Sequence, residues 1–105
     1  MPDYVVEGRS YLVDTEGFLQ NWEKWNVEAA KDLALTESIT NLTDDHWKLI
    51  NYIRKYYDQY GTAPMIRKVT RETGFNLEKI YELFPSGPAK GACKVAGLPK
   101  PAGCV

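Results

Sequence analysis

The sequence predicts a mainly α fold: a small orthogonal helical bundle with a helix-turn-helix-like pair, an N-terminal β-hairpin and a flexible C-terminal arm. Three observations carry this. Apolar residues recur at helical spacing through five stretches between residues 18 and 84, most of them bounded by capping or stop residues. Two short β-prone runs flank a turn near the start. The composition then changes at Pro85: residues 85–105 hold four of the six prolines and four of the eight glycines, with only Val95, Leu98 and Val105 as sizeable aliphatics. The 105 residues therefore read as one body, residues 1–84, followed by a mobile arm, residues 85–105, that is not a core element.

The elements follow in order. Residues 4–6 and 10–13 are the β-prone runs, and Glu7-Gly8-Arg9 between them fits a hairpin turn, with Gly8 able to take positive φ. A lone hairpin is marginal in water, so it must pack on something else. Asp14 to Gly17 reads as a second turn, and Phe18, Leu19, Trp22 and Trp25 place a short helix after it. Asn26 caps a helix from Val27 to about Glu37, whose narrow apolar stripe is Ala30, Leu33 and Ala34. Thr43 caps the longest helix, with Asp44 and Asp45 at its positive end and Gly61 as its stop. Its apolar face is Trp47, Ile50, Ile53, Tyr57 and Tyr60, with Leu49 and Tyr56 beside it. Pro64 suits the first turn of the next helix, which buries Met65, Ile66 and Val69 and ends at Gly74. Asn76 caps a last helix carrying Leu77, Ile80, Tyr81, Leu83 and Phe84, and Pro85 closes the body.

A net charge of −1 argues against a strong polyanion binder. The N-terminus MPDYVVEGRS lacks the basic flank and apolar run of a secretory signal, and no apolar run approaches a membrane span. The expected compartment is the cytoplasm, without membrane insertion, where thiols stay reduced unless they do redox chemistry.

Both cysteines, Cys93 and Cys104, fall in the arm. A structural disulfide, a metal site and incidental thiols are the plain readings. The disulfide stabilises the fold only if the arm unfolds with the body. Two cysteines at this spacing, with His46 far back on a helix, lack any usual zinc pattern, so no metal is expected. The sharper reading is a mobile dithiol. Prolines make the arm project, glycines give it hinges, and a thiol at position 104 can enter a narrow partner channel. Such a pair can hold a disulfide, or a form with extra sulfur between the two cysteines, and release it by thiol exchange. Lys94 and Lys90 should favour the Cys93 thiolate, whereas the Val105 carboxylate opposes ionisation of Cys104. By reach, Cys104 is the delivering sulfur and Cys93 the resolving one.

The string LFPSGPAKGACKVAGLPKPAGCV, residues 83–105, resembles the C-terminal arm of the DsrC/TusE sulfur-carrier family. The hairpin, the WN segment, the Tyr-rich helix and the PMIRKV helix are similar to it as well. Members resembling TusE typically lack the upstream cysteine, so Cys93 points to the DsrC branch. The resemblance implies a sulfur-carrying co-substrate of dissimilatory sulfite reductase, inserting its arm near the sirohaem of the alpha/beta subunits. Cys104 would accept sulfur from a sulfite-derived intermediate and Cys93 would close a trisulfide. A membrane-bound complex would reduce that trisulfide and release sulfide. Sirohaem and iron–sulfur clusters would belong to the partner, since two cysteines and one histidine cannot supply such sites here. A persulfide relay with sulfurtransferases, serving tRNA thiolation or sulfur oxidation, is the alternative.

Other residues carry two readings each. Arg67 matches an arginine typical of the family, where it would hold the arm or support a thiolate; with Lys68 and Arg71 it also reads as a solvated face. Lys100 steers the arm or merely aids solubility. The three tryptophans fill core, and His46 is an ordinary surface or helix-start residue. Residues 64–84 have the shape of a helix-turn-helix, but the second helix sets Glu78 and Glu82 against Lys79, a poor surface for DNA.

Overall fold

The hairpin forms near where the sequence places it. In the computed structural model, residues 3–87 and 91–99 are described, apart from the side chain of Trp22. Strand β1, Asp3–Val6, pairs antiparallel with β2, Arg9–Leu12, in the register Val6↔Arg9 to Asp3↔Leu12. Only Glu7 and Gly8 form the loop, at φ 47° and 84°, the doubly left-handed geometry that matches strand twist. Arg9, expected in the turn, is therefore a strand residue. Its side chain reaches α1, Val27–Leu35, donating to Asp32 from Nε at 2.8 Å and from its terminal nitrogen at 3.0 Å. The Tyr11 hydroxyl donates to the same carboxylate at 2.5 Å, and Tyr4 donates to the Asp32 carbonyl at 2.7 Å. This polar anchor and a small cluster of Tyr11, Val13, Leu19, Ala29 and Leu33 fix the hairpin to the body.

The hydrogen bonds from Arg9 outweigh desolvation and hold the Asp32 carboxyl below the usual carboxylate range, with Tyr11 adding to the effect. A depressed folded-state pKa stabilises the fold above the unfolded carboxyl pKa of about 4, and that contribution is lost as pH falls through the folded value. The urea midpoint of the native protein is thus expected to drop between pH 5 and pH 2. Asp32→Asn should be less stable at pH 7 and show a shallower drop. Parallel pH profiles for the two proteins would show that the Arg9–Asp32 anchor contributes nothing.

The expected helix over residues 18–25 is reduced to one 3-10 turn, Trp22–Lys24. Phe18 and Leu19 lie before it and are buried, and Leu19 bridges to Val13 across the Asp14–Gly17 turn. Helix α1 starts at its Asn26 cap, which accepts from Ala29 N–H at 2.8 Å, and ends at Leu35. Helix α2, Asp44–Tyr60, buries Leu49, Ile50 and Ile53, while Tyr60 faces outward. Helix α3, Ile66–Thr73, begins after Pro64, not at it. Met65, expected in the core, is 73% exposed, because it occupies the cap position before the apolar face starts. Helix α4, Leu77–Leu83, turns Ile80 and Leu83 inward and Leu77 and Tyr81 outward. Lys79, the lysine of α4, is 3.2 Å from Asp45, which leaves the second helix of the pair still less suited to phosphate.

The core does not end at Pro85. Gly91 and Ala92 form a π-type turn that opens into α5, Cys93–Val95, and Ala92, Cys93, Val95, Ala96 and Leu98 are all buried in the main cluster with Ile50, Ile53, Val69, Ile80 and Phe84. Helices α1 and α2 both pack on α5. The reading of residues 85–105 as wholly outside the core is thus corrected for residues 91–98. Their small side chains suggested a tail, yet small side chains are what close packing here requires. A Cβ on Gly91 would stand 2.9 Å from Phe84 Cβ. Among the described residues no helix is long and apolar enough to cross a membrane.

Candidate functional site

Cys93 opens α5 with a free thiol that is 3% exposed. Burial pushes its pKa up to about 12, because the apolar surroundings disfavour the thiolate. The expectation that neighbouring lysines favour ionisation is corrected for Lys94. Its side chain leaves the thiol, and Nζ meets Glu37 Oε2 at 2.7 Å, lying 5.8 Å from the Phe18 ring centre. Lys90 lies outside the described residues. A thiol in this state is a poor nucleophile.

Three contacts hold the segment that follows Cys93. Trp25 Nε1 donates to the Val95 carbonyl at 3.0 Å. Arg54 donates to the Ala96 carbonyl at 2.5 Å, while its guanidinium carbon stands 3.8 Å from the Trp25 ring centre. Gly97, at φ 75°, passes so close to that indole that a Cβ would stand 2.7 Å from Cγ and nearer still to Cδ1. Carbonyls at a helix C-terminus lack intrahelical partners, so these two donors complete α5. Desolvation lowers the Arg54 pKa, consistent with a half-buried guanidinium. Leu98, with Arg54, Lys55, Tyr57 and Asp58, lines a cleft of about 300 Å³ directly beside this clasp.

His46 holds the end of α4, from which the chain runs on toward the segment. Its Nδ1 accepts from the Thr43 backbone N–H at 3.0 Å, so Nε2 carries the proton and donates to the Leu83 carbonyl at 2.9 Å. The ring also meets Phe84 edge-on, with centres 5.2 Å apart. Desolvation lowers its pKa. His46 is thus at a helix start as expected, but it is buried rather than on the surface.

Residues 5–105 match the family model described as DsrC like protein. The chain belongs to the DsrC-like family. It is 47% identical over 105 residues to the dissimilatory-type sulfite reductase subunit gamma of Nitratidesulfovibrio vulgaris, covering 100% of both chains. It is 42% identical over 108 residues to sulfurtransferase TusE of Photorhabdus laumondii, covering 96% of each. The crystal structure of dissimilatory sulfite reductase I contains a chain that superposes with a TM-score of 0.90 at 47% identity, covering 99% of this chain and 100% of that one. A DsrC-like chain with relatives among both reductase gamma subunits and sulfurtransferases is a member of a sulfur-carrier family.

Of the residues singled out from sequence, the structure places Cys93 at the start of α5, directly before the clasped carbonyls of Val95 and Ala96. Cys104 and Lys100 lie outside the described residues. Arg67 is exposed on α3, and among the described residues its side chain makes no hydrogen bond or ion pair. The sequence reading missed Arg54 and Glu37, and it took Trp25 only as core. One signal was available: Arg54 falls four residues after Ile50 and three before Tyr57, on the face assigned to the core. A cation on that face requires a partner.

Proposed function

We propose that this DsrC-like chain is a cytoplasmic sulfur-carrier co-substrate of a dissimilatory sulfite reductase, not an enzyme in its own right. The observation that supports this reading best is the second thiol: Cys93 stands eleven positions before Cys104 in a chain that aligns end to end with a gamma subunit. The Cys104 thiolate attacks the sulfur of a partly reduced sulfite held by the alpha/beta subunits. Cys93 then attacks the same sulfur, and the last oxygen leaves as water. Sulfite, two thiols, two reductase electrons and four protons give the trisulfide and three waters. Four further electrons and four protons, from a membrane-bound complex, return both thiols and release sulfide. Sirohaem and iron–sulfur clusters belong to the partner in this scheme. Lys100 steers the arm toward an anionic channel, and Arg67 steadies it or its thiolate.

The test is intact mass after turnover with a dissimilatory sulfite reductase, limiting sulfite and an electron donor, followed by peptide mapping. The expected product has gained one sulfur and lost two hydrogens, with that sulfur bridging Cys93 and Cys104. Cys104→Ser should take up no sulfur, and Cys93→Ser should load without closing the bridge. A plain disulfide, or equal loading of both variants, would overturn the scheme.

One observation favours a second reading. A thiol as buried as Cys93 contributes little nucleophile in this conformation, and the similarity to TusE suits a persulfide relay that uses Cys104 alone. In that case Cys93→Ser would leave transfer from a sulfurtransferase intact.

A further inference from the structure

We propose that Arg54 and Trp25 are positioning residues that gate Cys93: they clasp the chain directly after it, and the thiol becomes reactive through local release of that clasp while the rest of the fold stays intact. The inference deepens the carrier reading and rests on it for the need of Cys93 to react.

The geometry supports a separable unit. Helix α5 is three residues long and has no side-chain cap, so it cannot persist without tertiary contacts. Its C-terminal carbonyls are held by two side chains from outside it, Trp25 Nε1 on Val95 and Arg54 on Ala96. Those two side chains are stacked on each other, so loss of one loosens the other. Both are only partly buried, and water can compete for the carbonyls once the stack opens. The cleft that Leu98 and Arg54 line adjoins the end of the segment, so water is at hand once the stack opens. Val95, Ala96 and Leu98 are buried against Ile50, Ile53 and Val69, so release uncovers part of this cluster, but the longer helices α2 and α3 keep their own backbone hydrogen bonds. A three-residue helix fastened by its own set of side-chain contacts, Trp25 and Arg54 on its carbonyls and Glu37 on Lys94, is a unit that can open below the global unfolding free energy. Cys93 lies one turn before the clasped carbonyls, so release of Val95 and Ala96 bares its sulfur.

The experiment uses the full chain with Cys104→Ser, which leaves Cys93 as the single thiol and needs no reductase. The rate of reaction with 5,5′-dithiobis(2-nitrobenzoate) is measured at pH 8 across a urea series, beside global unfolding by circular dichroism. In the parent, labelling is expected to be at least roughly 100-fold slower than in the urea-unfolded chain, with a urea dependence much weaker than that of global unfolding. Arg54→Met keeps the stem on Trp25 but removes the donors; it should speed labelling on the order of 10-fold at low urea. Arg54→Lys, which keeps a cationic donor, should restore part of the protection. Trp25→Phe removes only the N–H and serves if Arg54→Met does not fold. Three results would each overturn the proposal: parent labelling as fast as in the unfolded chain, unchanged rates in both clasp variants, or labelling whose urea slope equals that of global unfolding. Failure of the sulfur-transfer reading would appear instead in the turnover masses, with the labelling result unaffected.

Discussion

Gly97→Ala is expected to cost about 2–5 kcal/mol in urea denaturation, or to detach residues 91–98 and expose Cys93. Two costs add. The backbone at φ 75° is left-handed, which is about 1–2 kcal/mol worse for a residue with a Cβ. The added methyl also enters the Trp25 ring, and overpacking of this kind costs about 1–3 kcal/mol. The ring has little freedom to yield, because its N–H is bonded to Val95 and Arg54 covers its face. Gly8→Ala is the control. Its φ is 84°, but a Cβ there meets nothing within 4 Å, so only the backbone cost of about 1–2 kcal/mol applies. Equal stabilities and equal Cys93 labelling rates for the two variants would show that the indole does not press on Gly97.

The same pair of contrasts explains which parts of the molecule could be read from its sequence. Asn26, Thr43 and Asn76 were legible as caps because capping is a local bond between a side chain and a nearby N–H, as in Asn76 accepting from Lys79 at 2.8 Å. The hairpin turn was legible for a similar reason, its conformation being set within two residues. What the sequence obscured depends on tertiary partners. Residues 91–98 have the composition of a linker, and only the faces of α1 and α2 turn them into core. The nearness of Lys94 in the chain suggested an ionised Cys93, but side-chain direction decides electrostatics, and the ammonium points to Glu37. Trp25 looked like an anonymous core aromatic, and its bond to Val95 spans seventy positions of sequence. Cys93 itself was legible as a chemical residue, while its concealment was not.

Lys94→Met is expected to destabilise the protein by about 3–5 kcal/mol, far more than the loss of an exposed lysine would. The Lys94 and Glu37 side chains are only 11% and 7% exposed, and their 2.7 Å bond joins α5 to the end of α1. Methionine keeps the apolar stem and removes only the charge, so packing loss cannot account for the effect. The carboxylate it strands is poorly served in any case, since Glu37 Oε1 has no hydrogen-bond partner among the described residues. Glu37→Leu alone strands the ammonium beside Phe18 and should cost a similar amount. The double variant removes both desolvated charges, and its stability should return to within about 1–2 kcal/mol of the parent, as uncharged replacements of buried pairs commonly do. The cycle of four urea curves therefore predicts a coupling energy of several kcal/mol, the signature of two groups in direct contact. Additive losses would mean that each charge finds water on its own, and that the link from α5 to α1 rests on apolar contacts alone. A large coupling would instead make this ion pair a second fastening of the Cys93 segment, at the opposite end of α1 from the Trp25–Arg54 clasp.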